Sequence, residues 1–235
     1  MEKEKTTIVI LHHAGGASHQ YLPFANQLDK NFEVYLYDMP GHGQRSKEYL
    51  LESMEDAVCD LMQKIRFIEN GNWVVFGHSL GSQLAHALVR MRFKEGLSLP
   101  SVLFVSGTPS PVNRVLKNIS DLSSDDFWGR FSDSGGIRKD ILHNSEFRSF
   151  FEPILRSDMK IVEKYQPVNL NLPVPIHVFY GTADMTEENA RSWSQDSDYP
   201  PVLYPFPGDH FYLFNCCNNL CAIMEKEIVK QNPVI

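Results

Sequence analysis

Ser79, Asp184 and His210 follow one another in the order serine, carboxylate, histidine, each just past a run of strand-forming residues. A serine hydroxyl becomes a strong nucleophile when an imidazole takes its proton, and the imidazole needs a carboxylate to hold its tautomer and stabilise its charged form. The chemistry open to such a set is acyl transfer through a covalent acyl-enzyme. Ser79 carries the strongest local signal. The apolar run Trp73-Val74-Val75-Phe76 leads straight into Gly77-His78-Ser79-Leu80-Gly81 and then into a helical pattern, which is the signature of a nucleophile elbow. The turn needs small neighbours so that the backbone bends tightly and lifts the hydroxyl clear of the sheet, and Gly77 and Gly81 meet that need. The bland alternative is an incidental turn serine.

Asp184 ends Gly181-Thr182-Ala183-Asp184 after the strand-like Ile176 to Tyr180, and His210 ends Pro207-Gly208-Asp209-His210 after Val202 to Phe206. Both fall at the carboxyl ends of strands, where ligands and catalytic groups gather in open α/β sheets. Their competitors are weaker. Asp209 adjoins His210 and would point elsewhere, whereas Asp158 and Asp38 lie in other segments. His78 occupies the variable elbow position and His86 lies on the following helix, where packing accounts for both. An oxyanion hole requires two convergent backbone N–H groups. Leu80, directly after the serine, supplies one candidate, and the glycine-rich His12-His13-Ala14-Gly15-Gly16-Ala17-Ser18 loop supplies the other, with Ala14 preferred and His13 next. This loop lacks the Gly-Lys-Ser/Thr ending of a phosphate-binding loop. Asp38-Met39-Pro40-Gly41-His42-Gly43 reads as a turn beside the site, and His42 has no metal-ligand partner at a suitable spacing.

The elements that must position these groups alternate. Strands are expected at Thr6 to His12, Phe32 to Tyr37, Trp73 to Phe76, Ser101 to Ser106, Ile176 to Tyr180 and Val202 to Phe206. Helices are expected at about Tyr21 to Leu28, Ser53 to Ile68, Gln83 to Phe93, Glu187 to Ser194 and Phe211 to Val229. The pattern predicts an α/β fold with a mostly parallel sheet flanked by helices, of the α/β-hydrolase kind. About seventy residues separate the strand ending at Ser106 from the one starting at Ile176, and the helical patterns within them predict an inserted helical lid over 108–170. One domain, 1–235, is expected.

Composition narrows the function classes. The 235 residues are 43% hydrophobic and 22% charged, as in an ordinary globular protein. The formal charge of −7 argues against nucleic acid or an anionic membrane as the main partner. No basic leader and no apolar run of membrane length occurs, so neither a signal peptide nor a membrane span is expected. Four cysteines, with Cys216, Cys217 and Cys221 bunched in a helical pattern, suit free thiols in a reducing cytoplasm better than disulfides or a metal site. Thr108 to Tyr165 holds nine basic and nine acidic residues, so this segment is neutral while the rest carries the negative charge.

Taken together, Ala14-Gly15-Gly16-Ala17, Pro40-Gly41-His42-Gly43, Gly77-His78-Ser79-Leu80-Gly81, Leu155-Arg156-Ser157-Asp158, Gly181-x-x-Asp184 with Trp193, and Gly208-Asp209-His210-Phe211-Tyr212-Leu213 resemble the type II thioesterases. These are stand-alone α/β-hydrolases that serve nonribosomal peptide and polyketide synthases. The resemblance spans nearly the whole chain. Asp209 stands where the family commonly has glycine, and His12-His13 where it commonly has Phe-Pro. It implies acyl groups held as thioesters on the phosphopantetheine arms of carrier-protein domains, an editing role that clears stalled or misprimed units, and Ser79, Asp184 and His210 as the triad. No cofactor or metal is implied, and a monomer is the default. The lid would shape the acyl pocket and face the carrier, with Arg114, Lys117, Arg130, Arg138, Lys139, Arg148 and Arg156 as candidate contacts. Phe127, Trp128, Phe131, Phe147, Phe150 and Phe151 would line the channel or pack the lid. A carboxylesterase or lipase, an acyltransferase, and a non-catalytic binding protein on the same scaffold are the competing readings.

Overall fold

The computed structural model describes residues 5–68, 72–113, 118–131 and 144–231. Six strands form one sheet: β1 (Thr6–Leu11), β2 (Phe32–Tyr37), β3 (Trp73–His78), β4 (Leu103–Ser106), β5 (Ile176–Gly181) and β6 (Val202–Phe206). Their order is β2-β1-β3-β4-β5-β6, and all five pairings are parallel. The chain starts in the middle, winds out to one edge, returns past β1 and builds the other half, so the carboxyl ends of β3, β5 and β6 lie along one rim of the sheet.

Successive residues of the central strands feed opposite layers. Val9 and Leu11 join Val75, Leu103, Val105 and Val178 in one core, while Ile8 and Ile10 join Val74, Phe76, Phe104 and Phe179 in the other. This two-residue period, with both faces covered, is why the strands read as continuously apolar. The helices α2 (Met54–Lys64) and α3 (Leu80–Lys94) cover the first face, and α1 (Leu22–Gln27) and α8 (Cys217–Gln231) the second. Cys217 and Cys221 are buried thiols in the second core. At the edge strand β6, Pro205 is tolerated because one side has no ladder to complete.

Between β4 and β5 the described chain forms α4 (Ser124–Phe131) and α5 (Ser145–Lys164). Asn144 caps α5 by accepting the Phe147 N–H at 3.0 Å, and Pro153 lies inside the helix. Phe127, Trp128 and Leu155 make a third, smaller core beneath these helices, with Phe131, Phe147 and Phe151 packed against it. Of the aromatic residues expected there, Phe150 is the exception, at 62% exposed. The short α6 (Glu187–Arg191) follows β5, and α7 (Tyr212–Asn215) follows β6.

Candidate active site

Trp73 through Arg90 are buried except at one position, Ser79, which is partly exposed. Ser79 has φ 55° and ψ −114°, and among the described residues it alone outside glycine has a positive φ. Such a conformation costs about 1–3 kcal/mol and persists only where the surroundings enforce it. Two carbonyls show how they do so. A Cβ on Gly77 would lie 2.1 Å from the Gly81 carbonyl oxygen, and one on Gly81 would lie 2.3 Å from that of Leu11. Only glycine permits the strand and helix to close this tightly, as the Gly-x-Ser-x-Gly spacing predicts.

Ser106, at the end of β4, fastens the turn. Its carbonyl accepts the Ser79 N–H at 2.8 Å and the Ser82 hydroxyl at 3.0 Å, and its own N–H donates to Ser82 Oγ at 2.9 Å. The Ser106 hydroxyl meets His78 Nδ1 at 2.9 Å and the Tyr212 hydroxyl at 2.7 Å. His78 is therefore a packed residue that ties the elbow to the segment following His210, and burial holds its pKa well below the ordinary value.

His210 Nδ1 lies 2.8 Å from Asp184 Oδ2, with the two side chains 18% and 24% exposed. With Nδ1–H donating to the carboxylate, Nε2 is left to accept a proton. The His210 ring is centred 4.9 Å from that of His78, the residue before Ser79. The strand ends hold this pair in place. The Ala183 N–H donates to the Gly208 carbonyl at 2.9 Å, and a Cβ on Gly181 would lie 2.4 Å from the Asp209 carbonyl. Gly107, with φ 67°, closes the other side, where a Cβ would lie 2.5 Å from His78 Cε1 and 3.3 Å from His210 Cε1.

The other carboxylates weighed for this position are engaged elsewhere. Asp209 accepts the Phe211 N–H at 2.9 Å. Asp38 accepts the Ser18 N–H at 2.6 Å and the Gln44 N–H at 3.0 Å. Asp158 faces His42 and Gly15. His86 packs against Trp193 and lies 3.0 Å from Asp196 Oδ1, without hydrogen-bond alignment.

Leu80 is the first residue of α3, so its N–H belongs to the first turn, which has no acceptor within the helix. Ala14 and Gly15 are partly exposed in a loop otherwise buried from His12 to Ser18. The Gly16 N–H bonds the His13 carbonyl at 2.9 Å and closes a turn over Ala14 and Gly15, with Gly15 at φ 68°. The elbow, the His210–Asp184 pair and this loop lie at one rim of the sheet, an arrangement suited to nucleophilic attack on a carbonyl with its developing negative charge met by backbone N–H groups.

Two contacts had no signal in the sequence: the hydroxyl pair of Ser106 and Tyr212, and the meeting of His42 with a carboxylate 116 positions away, although Tyr212, His42 and Asp158 each lie in a quoted motif. Among the basic residues expected to face a carrier, Arg156 is occupied internally: it bonds Glu152 Oε1 at 2.7 Å and lies 4.3 Å from the centre of the Phe127 ring. Arg148 meets Asp125 at 2.7 Å, and Arg130 is exposed. Arg114, Lys117, Arg138 and Lys139 lie outside the described residues.

The thioesterase domain family matches residues 6–228. The chain is 29% identical to the thioesterase TesA of Mycobacterium leprae, over 94% of this chain and 87% of TesA. Its structure is similar to that of ClbQ from the colibactin NRPS/PKS pathway, with TM-score 0.88 and 26% identity, covering 97% of this chain and 98% of ClbQ. It is also similar to the type II thioesterase BorB from the borrelidin biosynthetic cluster, with TM-score 0.84 and 29% identity, covering 95% and 93%. The parallel sheet, the strained serine elbow and these matches agree: the chain belongs to the thioesterase family, enzymes that hydrolyse thioesters, built here on an α/β-hydrolase fold.

Proposed function

We propose that this enzyme hydrolyses acyl thioesters carried on the phosphopantetheine arms of acyl or peptidyl carrier proteins, as an editing thioesterase of nonribosomal peptide or polyketide synthesis. The observation that carries the mechanism is the 2.8 Å contact of His210 Nδ1 with Asp184, beside the elbow that strains Ser79. His210 takes the Ser79 proton, Ser79 Oγ attacks the thioester carbonyl, and the Leu80 and Ala14 N–H groups bind the oxyanion while Asp184 stabilises the imidazolium. The intermediate collapses with cleavage of the C–S bond, and the thiol (pKa ~8.5) leaves with the proton His210 returns to it. Water deprotonated by His210 then attacks the acyl-enzyme and releases the acid. No metal or cofactor takes part.

The same reading makes 1–235 one domain with 108–170 as a lid over the acyl pocket, acting as a cytoplasmic monomer. Among the described residues no helix is long and apolar enough to cross a membrane. The carrier as partner is supported by the likeness to ClbQ and BorB and by the neutral segment between β4 and β5 in a chain of charge −7. An acidic carrier domain is repelled least there.

The test compares hydrolysis of acyl-loaded carrier protein, acyl-pantetheine and simple oxygen esters by the native enzyme and by Ser79→Ala. Carrier-bound thioesters should turn over fastest, and Ser79→Ala should fall to background on all three. Oxygen esters turning over far faster would overturn the carrier assignment in favour of a carboxylesterase. Full activity of Ser79→Ala would overturn the elbow.

A further inference from the structure

Asp158 projects from α5 onto the loop that holds Ala14. Its Oδ2 accepts the Gly15 N–H at 2.6 Å and lies 3.0 Å from His42 Nε2. Asp158 is fully buried, and its other oxygen has no hydrogen-bond partner among the described residues. The carboxylate therefore directs its bonding to these two groups. His42 is equally enclosed, and its Nδ1 lies 3.0 Å from the Pro40 carbonyl. Both ring nitrogens thus face oxygen atoms, Asp158 Oδ2 and the Pro40 carbonyl. The pair is a buried carboxyl group and a buried imidazole in contact, with one backbone N–H as third member.

That N–H has a particular place. In the His13–Gly16 turn Gly15 is third, with φ 68°, whereas Ala14 does not share a positive φ. This is the type II arrangement, and type I differs by turning over the peptide between the second and third residues. Here that peptide joins Ala14 to Gly15. Turning it over would remove the N–H from Asp158 and present the Ala14 carbonyl oxygen to the carboxylate. Packing acts in the same sense, because a Cβ on Gly15 would lie 2.6 Å from Leu155 Cδ2, one helical turn before Asp158. Ser157 donates to the Leu51 carbonyl at 2.6 Å and Lys160 to Glu52 at 2.7 Å, so this stretch of α5 is anchored.

We infer that Asp158 and His42 are positioning residues for catalysis: the pair locks the Ala14–Gly15 peptide and with it the type II form of the His13–Gly16 turn, which fixes the backbone of Ala14, whose N–H in the preceding peptide is assigned to the oxyanion, and makes the hole depend on the seating of α5. The inference rests on the assignment of Ser79 and Ala14 above. Burial opposes charge on His42, but the hydrogen bond and charge of Asp158, with the Pro40 carbonyl, outweigh it and raise its pKa.

The experiment uses the full chain and a soluble acyl-N-acetylcysteamine thioester, so that carrier recognition plays no part. Asp158→Ala, Asp158→Asn and His42→Ala are compared with native enzyme, each rate referred to folded protein. Two inhibitors separate the states: an acyl trifluoromethyl ketone, whose adduct with Ser79 places an oxyanion in the hole, and an acyl thioether, which mimics bound substrate alone. For Asp158→Ala, kcat should fall ~10-fold to 100-fold, as for a displaced catalytic donor. Ketone binding should weaken in proportion, while KM and thioether binding stay within about threefold. Asp158→Asn, which keeps an acceptor for Gly15, should retain more of kcat. If Asp158→Ala does not fold, His42→Ala is expected to show the same split. Native kcat, or thioether binding lost as steeply as kcat, would overturn the inference. Native-level activity of Ser79→Ala on this thioester would instead overturn the assignment beneath it.

Discussion

Ser79 combines two properties that rarely coincide: a strained backbone and an opening to solvent in the midst of a buried run. The strain is maintained by close carbonyl contacts, so the glycines flanking it are as constrained as the serine. Gly81→Ala would place a methyl 2.3 Å from the Leu11 carbonyl, at the base of the Ala14 loop. We expect a stability loss of about 1–3 kcal/mol, seen as an earlier denaturation midpoint, together with a lower kcat. Asp184 is different, because its side chain is 24% exposed and holds His210 without supporting a core. Asp184→Asn should leave the melting temperature within a few degrees and lower kcat by about 10³-fold to 10⁴-fold through loss of the correct imidazole tautomer. A near-native rate would exclude Asp184 as the orienting acid.

The elements were legible wherever local pattern and tertiary role agree. Phe32–Tyr37 and Val202–Phe206 match their expected spans, because strand residues there give way at once to turn residues. β3 runs two residues further than its apolar run, since Gly77 pairs with Leu11 and His78 with Ser106, and ladder pairing extends a strand past its hydrophobic stretch. α3 begins at Leu80 rather than near Gln83, because Leu80-Gly81-Ser82 reads as a turn until Ser82 bonds back to the Gly77 carbonyl. The expected final helix is broken at Cys216, between α7 and α8. Ser79, Asp184 and His210 could be proposed from the sequence because each lies within four residues of a strand end, at His78, Gly181 and Phe206, whereas the bond of His42 to Asp158 joins distant segments and leaves no periodic trace. α4 and the first half of α5 share a small core of their own, whereas Ile161 and Val162 near the end of α5 join the first core. Trp128 is 1% exposed and donates its Nε1–H to Glu152 at 2.7 Å. Trp128→Ala should cost about 3–5 kcal/mol. Amide exchange should rise first in α4 and the first half of α5, while β1 and β3 remain protected; uniform loss of protection would contradict a separately cored segment.

At the scale of the molecule, several histidines are enclosed in the neutral form. Burial lowers His12 to about 4, aided by the charge of His42, and lowers His13 to about 3 and His177 to about 4. Between about pH 6.5 and 4 the unfolded chain binds protons that the native chain does not, so stability must fall on acidification. Each such group contributes a slope of up to ~1.4 kcal/mol per pH unit. His42 has the opposite sign: its raised pKa gives a contribution present below ~6.5 and lost as pH rises through its folded value. Denaturant titrations at pH 7, 6 and 5 should show a steady decline, and a flat profile would contradict the enclosed neutral state. The family gives a thioester as substrate, and the carrier is argued from likeness and charge. The most direct test of the whole account is rapid-quench intact-mass analysis of the enzyme mixed with acyl-loaded carrier protein, followed by peptide mapping. A transient gain of one acyl group is expected on the peptide containing Ser79, matched by its loss from the carrier and absent in Ser79→Ala. Hydrolysis proceeding with no adduct, or with the acyl group on another residue, would contradict it.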